Sequence, residues 1–411
     1  MRTAAVMAIA LLAFLSAITA LAGLSAKWTY ALPDRLLWAS ISENGDRVFL
    51  YSSEGYLYVI DSKGRETAVL RPGPLAKDLS GELVIGSPSE GNGVIYAVTG
   101  EAGQVAEYVG SKGEREWSVF LPGRIVTMAI SPSGKYIAIA LLPLKLGTGE
   151  ITITVSLING GKASQPVSLG LGGVTEARTL RVAVSDRGDI ALYNPSVSRI
   201  QVYSRDGSLS WESPQVGPPS QICMSPDGIT IVSVERTPEG FQARVYRVGE
   251  GEALNVSLGK IYAIGPECRR AAYYGSNSTI RLVNLETGQE ISLGVVPVVE
   301  ALSISTKGTY VLAVGGYRYT LFSQRGTVGD GFTLSPIQEA AISARGKAIL
   351  LVDSWNRAYY VPNPEAERLG MVLKMLMLGV AFVAGLILIL RFGRRRTPER
   401  GEEHEEEIFP E

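Results

Sequence analysis

The residues that most often carry enzyme chemistry are sparse in this sequence. The single histidine of the 411-residue chain is His404, close to the C-terminus. The sequence therefore predicts no Ser-His-Asp triad, no Cys-His pair and no zinc or iron site with a histidine ligand in the preceding part. A Gly-x-Ser-x-Gly elbow, a Walker loop and a Gly-x-Gly-x-x-Gly fingerprint are also missing. A pair of carboxylates acting as acid and base stays open. We expect no catalytic site, no metal and no cofactor.

Two apolar segments predict membrane helices at the ends of the chain. Thr3 to Ala26 contains no charged residue, and Leu369 to Leu390 contains only Lys374. Each is long enough to cross a hydrocarbon core of roughly 30 Å. The first segment fits a signal peptide cleaved after an Ala-x-Ala triplet, and it fits an uncleaved anchor equally well.

Charge indicates which side of the membrane each part occupies. Four arginines follow the second apolar segment directly, and the positive-inside rule places them in the cytoplasm; they are Arg391, Arg394, Arg395 and Arg396. We therefore expect a cell-membrane protein whose central domain lies outside and whose acidic tail, residues 393–411, lies in the cytoplasm. With 39 basic and 40 acidic residues the chain has no excess positive charge, so nucleic acid is not an expected partner.

A short motif recurs along the central part of the chain and predicts its fold. It consists of an apolar residue, Ser, two turn-forming residues and Gly, and it occurs at residues 41–45, 130–134, 184–188, 224–228, 304–308 and 342–346. Two incomplete copies, at 85–88 and 264–267, fill the wider gaps. A period close to 40 residues with four short strands per period is typical of a propeller blade. The sequence thus predicts an all-β, eight-bladed β-propeller of four-stranded blades with N- and C-terminal transmembrane helices.

Three tryptophans indicate how the ring closes. Trp28, Trp117 and Trp211 each lie 14 residues before a motif serine, so each should stand on the fourth strand of a blade. Trp28 precedes the first blade, whereas the last blade runs out after its third strand. We therefore expect residues 28–33 to pair with residues 357–361. The predicted domains are an anchor or signal peptide at 1–26, a propeller at 27–365, a membrane helix at 366–392 and the tail.

The repeats resemble a known group of proteins. Residues 271–313, and the turn Ser225-Pro226-Asp227-Gly228 in particular, are similar to YVTN and WD40-like propeller repeats, which are common in prokaryotic surface proteins. The glycine-to-tryptophan spacing of 113–117 and 207–211 also resembles quinoprotein repeats. The resemblance implies a propeller but names no ligand. A quinoprotein or lyase-type enzyme is therefore the alternative to a non-catalytic binding or scaffold module.

The two cysteines fall at different positions of their repeats. Cys223 lies two residues before its motif serine, and Cys268 lies three residues after Gly265, which stands at the serine position of an incomplete motif. A disulfide needs Cα atoms within about 7 Å. Because the two sites are offset along neighbouring blades, we expect two free thiols.

Aromatic, basic and apolar residues in the loops between second and third strands are the candidate partner-binding residues, because aromatic and arginine side chains are frequent binding anchors. They are Trp355, Arg357, Tyr317, Arg318, Leu144 and Lys145. Asn277 and Asn255 stand in glycosylation sequons. The motif turns should face the membrane and these loops should face outward. The expected partners are other membrane or cell-surface proteins, together with the membrane itself through one or two helices.

Overall fold

The computed structural model describes residues 24–70, 84–86, 93–100, 103–110, 112–121, 123–143 and 151–367. The predicted tail, and all but residues 24–26 of the two apolar segments, lie outside these residues. Within the described part, no helix is long and apolar enough to cross a membrane.

The described residues form eight four-stranded antiparallel sheets. In the first four sheets the strands follow chain order: β2 (Leu36–Ile41), β3 (Arg47–Ser52), β4 (Leu57–Asp61), β5 (Glu66–Leu70); β6 (Val84–Gly86), β7 (Val94–Gly100), β8 (Gly103–Val109), β9 (Arg115–Leu121); β10 (Arg124–Ile130), β11 (Ile137–Leu142), β12 (Ile151–Asn159), β13 (Lys162–Leu171); β14 (Arg181–Val184), β15 (Ile190–Asn194), β16 (Arg199–Tyr203), β17 (Leu209–Glu212). A short helix α1 (Val174–Thr179) links the third sheet to the fourth.

The fifth to seventh sheets repeat this order, and the eighth takes its outer strand from the start of the chain. Their strands are β18 (Gln221–Met224), β19 (Thr230–Thr237), β20 (Gly240–Arg247), β21 (Gly251–Leu258); β22 (Tyr262–Ile264), β23 (Arg270–Tyr274), β24 (Thr279–Asn284), β25 (Glu290–Val295); β26 (Ala301–Ile304), β27 (Tyr310–Gly315), β28 (Arg318–Ser323), β29 (Gly326–Phe332); β30 (Ile337–Ile342), β31 (Ala348–Asp353), β32 (Arg357–Pro362) and β1 (Trp28–Ala31).

The apolar core lies between the sheets. Each pair of consecutive sheets shares one cluster of buried apolar side chains, and a further cluster joins the eighth sheet to the first. This arrangement explains why the second and third strands are apolar on both faces, as in β4 and β31, where every residue is buried. The sheets therefore follow one another around a closed ring.

The closing strand pairs as the sequence predicts. β1 is antiparallel to β32, with Trp28 opposite Tyr360 and Ala31 opposite Arg357. The Trp28 indole stacks on the Tyr360 ring at a centroid distance of 5.2 Å. A Cβ on Gly64 of the first sheet would come within 2.9 Å of the same indole, so the tryptophan also packs on the next sheet.

The motif serines and glycines have distinct structural roles. In all six complete motifs the serine is buried, and its Oγ accepts the backbone N–H of the residue four or five positions later. The motif glycines have φ between 60° and 91°, a region that side chains disfavour. A Cβ added to Gly45 would lie 2.9 Å from Cβ of Ala348 in the preceding sheet. The glycine position of the motif thus points at the neighbouring sheet.

The prediction of two free thiols is wrong. The structure joins Cys223 and Cys268 in a disulfide, with Cα atoms 5.8 Å apart. In the incomplete motif of the sixth sheet Cys268 takes the place of the glycine: its N–H donates to Gly265 O at 2.8 Å and its φ is 58°. Because this position points at the preceding sheet, its side chain reaches Cys223 on β18. The expected offset along the blades therefore does not separate the two residues.

The folded domain begins earlier than the predicted boundary at residue 27. Leu24 is 6% exposed and packs in the cluster between the seventh and eighth sheets. Its N–H donates to Asp330 O at 2.9 Å, and its carbonyl accepts the Tyr319 hydroxyl at 2.8 Å. Leu24 therefore packs against the sheets as part of the folded domain.

Candidate partner-binding surface

The alternation of strand direction gives the ring two faces. The motif face carries the turns between first and second strands and between third and fourth strands. The opposite face carries the turns between second and third strands and the connections from one sheet to the next. Four of the six predicted binding residues, Tyr317, Arg318, Trp355 and Arg357, are described, and all lie on the opposite face of the seventh and eighth sheets.

Trp355 projects from a rigid turn. It lies between β31 and β32 and is 63% exposed. Asp353, which is buried, accepts the backbone N–H groups of Trp355 at 2.9 Å and Arg357 at 3.0 Å through Oδ1. Its Oδ2 accepts Arg357 Nη2 at 2.7 Å and the Tyr359 hydroxyl at 2.7 Å. Burial acts to raise the pKa of Asp353, but these donors outweigh it and lower the pKa below its ordinary value. The turn is therefore fixed by a charged, buried clamp.

The same turn occurs in the first sheet with a different exposed residue. Asp61 accepts the N–H groups of Lys63 and Arg65, both at 2.9 Å, and pairs with the Arg65 guanidinium at 2.7 Å. Lys63 thus has the same position within its turn as Trp355, although its turn joins β4 to β5 on the motif face. Because the turn forms with a lysine at this position, its geometry does not require the tryptophan. The exposed indole has no structural role in the turn.

Both predicted arginines are committed to structural contacts. The Arg357 guanidinium carbon lies 4.4 Å from the centroid of the Trp355 ring and supports it by a cation–π contact. Arg318 pairs with Asp330 at 2.9 Å and lies 5.8 Å from the centroid of Phe332. Their charges are therefore neutralised by neighbouring carboxylates. Tyr317 is 53% exposed.

Exposed apolar side chains that the sequence analysis missed extend this surface. They lie at the ends of fourth strands and in the connections that follow: Val295, Val298, Phe332 and Leu334, each between 61% and 70% exposed. Backbone hydrogen bonds join the loops of the seventh and eighth sheets, because Thr333 N–H donates to Tyr317 O and Ser354 N–H donates to Pro336 O. The signal in the sequence is an apolar residue two positions before a proline, as in Val295-Val296-Pro297 and Leu334-Ser335-Pro336. We call Val295, Val298, Tyr317, Phe332, Leu334 and Trp355 the apolar surface.

The remaining predicted residues are placed as follows. Leu144 and Lys145 lie outside the described residues. Asn277 is exposed in the turn between β23 and β24, and Asn255 is exposed on β21. Among the described residues, no group of three His, Cys, Asp or Glu side chains is arranged to hold a metal ion.

Comparison with known proteins supports the fold. No protein-family model matches the chain, and no curated protein matches it. Among solved structures it is similar to the C-terminal WD40 domain of Sif2, with a TM-score of 0.59 and 13% sequence identity over 83% of this chain and 98% of that domain. At this identity the likeness shows the fold alone. The chain is therefore an all-β protein with a WD40-like β-propeller fold, whereas the YVTN and quinoprotein relationships stay predictions.

Proposed function

We propose that this protein is a membrane-anchored, extracytoplasmic β-propeller of eight blades that binds another membrane or cell-surface protein and has no catalytic activity of its own. The observation that carries the proposal is the exposed Trp355 on its clamped turn. A rigid aromatic side chain loses little entropy on binding, and tryptophan is the residue most enriched at the centres of protein interfaces. WD40-like propellers commonly serve as protein-binding modules, which agrees with this proposal.

The chemistry of the apolar surface specifies the kind of segment it would accept. Arg318 and Arg357 are paired with Asp330 and Asp353, so the surface offers apolar contact area without free charge. Exposed apolar patches are typical of protein interaction sites. We therefore expect the partner to present an apolar segment rather than an acidic or basic one.

Two features support the proposed location. The Cys223–Cys268 disulfide suits an oxidising compartment outside the cytoplasm. The arginines at 391–396 favour a cytoplasmic C-terminus. A test in intact cells uses single added cysteines, because the native pair is already joined. Cysteines at Asn277 and Trp355 should react with an impermeant reagent, and those at Asn44 and Lys307 should react poorly. The reverse pattern would contradict the orientation.

The binding function is tested with a substitution taken from the protein itself. Trp355→Lys introduces the residue type that Lys63 provides in the same type of turn of the first sheet. The hydrogen bonds of Asp353 that fix the turn should therefore stay intact. The full-length protein and the variant are purified from the native membrane in mild detergent, and the co-purifying protein is then titrated back in pure form. We expect at least tenfold weaker binding, since hot-spot tryptophans contribute about 2 kcal/mol or more.

Matched controls exclude general effects. Lys63→Ala should leave binding unchanged, and Lys63→Trp, which places an exposed indole on the motif face, should not increase it. Equal binding by the wild type and Trp355→Lys would refute the proposed surface. Glycosylation is a separate expectation: in a host that glycosylates, Asn277 and Asn255 should both be modified, because both side chains are exposed.

A further inference from the structure

A cavity on the motif face has the properties of an anion site. It lies where the motif turns of the seventh, eighth and first sheets meet and has a volume of about 520 Å³. Glu43, Thr306, Lys307, Thr309 and Arg345 line it. The turns are held together by backbone hydrogen bonds, from Thr306 N–H to Ala344 O at 3.0 Å and from Arg345 N–H to Glu43 O at 3.2 Å. The cavity walls are thus fixed by the ring itself.

One wall of the cavity contains a polar group that the fold does not satisfy. Thr306 is 6% exposed, and its hydroxyl has no hydrogen-bond partner among the described residues. A buried hydroxyl without a partner costs about 1 to 3 kcal/mol. A ligand atom in the cavity is the partner that would recover this cost.

The charges around the cavity favour an anion. Lys307 is exposed and makes no ion pair within the described part of the chain. Arg345 pairs with Glu43 at 2.6 Å, so the one carboxylate and the two cations of the lining, Lys307 and Arg345, leave a net charge of +1. The Thr309 hydroxyl provides a further hydrogen-bond donor on the same turn as Lys307. A lysine, an arginine and two threonine hydroxyls are donors suited to several oxygens of one phosphate group.

We propose that this cavity binds a phosphate group through Thr306, Lys307, Thr309 and Arg345. The group can come from a free phosphate ester or from a phospholipid headgroup, since the motif face is the one that the proposed function turns toward the membrane. Only the lipid source depends on that orientation.

The experiment uses the full-length protein in detergent micelles without phosphate lipids. Inorganic phosphate is titrated by calorimetry into the wild type, Thr306→Val, Lys307→Gln and the control Lys162→Gln, which removes an exposed lysine of the motif face in the third sheet. In a second arm the same proteins are reconstituted into phosphatidylglycerol or uncharged glycolipid bilayers, and their thermal stability is compared. Binding of phosphate in the first arm indicates a free ester, and stabilisation only by phosphatidylglycerol indicates a headgroup.

In whichever arm the wild type responds, we expect Thr306→Val and Lys307→Gln to weaken the binding of phosphate or of phosphatidylglycerol about tenfold. Lys162→Gln should leave this binding unchanged. A second readout separates ligand binding from folding. Without phosphate, Thr306→Val should melt about 2 °C higher than the wild type, because it removes the unsatisfied hydroxyl while keeping the side-chain shape. The proposal is overturned if neither source has an effect, if Lys162→Gln is as defective as Lys307→Gln, or if Thr306→Val melts lower in phosphate-free micelles.

Discussion

At the residue scale, one type of five-residue turn occurs at two places in this protein, at residues 61–65 and 353–357, with a different exposed residue in each. Asp61 and Asp353 each accept the N–H groups of the residues two and four positions later and pair with the arginine four positions later, and this fixes the turn. The residue two positions after the aspartate is free to vary, and it is Lys63 in one turn and Trp355 in the other. The clamp and the proposed binding residue are thus different residues of one turn. Arg357, a candidate binding residue by sequence, proves to support the turn.

The Asp61 clamp predicts a pH dependence of stability. Burial acts to raise the pKa of Asp61, but donors from Arg65 and Lys63 lower it to about 2. Because the folded-state pKa lies below the unfolded value near 4, the clamp stabilises the fold fully above about pH 4. That contribution is lost as the pH falls from about 4 toward 2.

We expect Asp61→Asn to lower the free energy of unfolding by about 2 kcal/mol at pH 7 and by much less at pH 2.5. Denaturant titrations at several pH values provide the measurement. Lys63→Ala, which keeps the carboxylate and its donors, should follow the wild type at every pH. A constant difference between Asp61→Asn and the wild type across this range would show that the carboxylate is not clamped.

At the element scale, the outer strand of the seventh sheet accommodates an additional piece of chain. Leu24 lies along β29, where a Cβ on Gly329 would come within 3.0 Å of Leu24 Cγ. A side chain at Gly331 would meet Leu24 O. The glycines of β29 are therefore needed to seat Leu24, and Leu24 extends the closure that β1 makes with β32.

This contact predicts coupled effects of two substitutions. Leu24→Ala should lower the free energy of unfolding by about 3 kcal/mol through lost burial, and Gly329→Ala should lower it by about 1 kcal/mol through crowding. The double variant should lose less than the sum, because alanine at residue 24 leaves room for the new methyl group. Lys27→Ala, at an exposed side chain, is the control for thermal unfolding. Strict additivity would mean that the two residues do not touch.

At the scale of the whole molecule, the ring brings together residues that are distant in the chain. The eight sheets are joined by apolar clusters, by the β1–β32 pairing and by one covalent link between the fifth and sixth sheets. The link lies in the incomplete motif of the sixth sheet, where Cys268 stands at the position of the motif glycine. Every complete motif has glycine at this position, whereas Cys268 adopts a φ of 58° with a side chain.

The disulfide predicts an ordered series of stabilities. Loss of the link across 45 residues, in Cys223→Ala with Cys268→Ala, should cost about 4 kcal/mol by the entropy of the unfolded chain. Cys223→Ala with Cys268→Gly should be about 1 kcal/mol more stable than that pair, because glycine accepts the positive φ. Denaturant unfolding of both double variants gives the comparison. Mass spectrometry of the non-reduced wild type should show a linked peptide pair, and two alkylated cysteines would contradict the link.

The sequence by itself determined the features that depend on local hydrogen bonding and on the repeat. These features are the Ser-x-x-Gly turns, the four strands per repeat and the tryptophans that lie 14 residues before a motif serine. Each depends on residues close together in the chain, because each turn satisfies its own backbone hydrogen-bonding groups. The pairing of β1 with β32 could also be predicted from the sequence. The segment of β1 has the pattern of a fourth strand but precedes the first blade, and the last blade lacks a fourth strand, so the two must pair.

Only the tertiary structure decided what lies next to what across the ring. The Cys223–Cys268 link and the packing of Leu24 on β29 both join residues of neighbouring sheets. Their distances depend on the lateral placement and tilt of whole sheets, which a strand pattern does not encode. The cavity at Thr306 arises in the same way, because its walls come from turns more than 250 residues apart in the chain that meet where the ring closes.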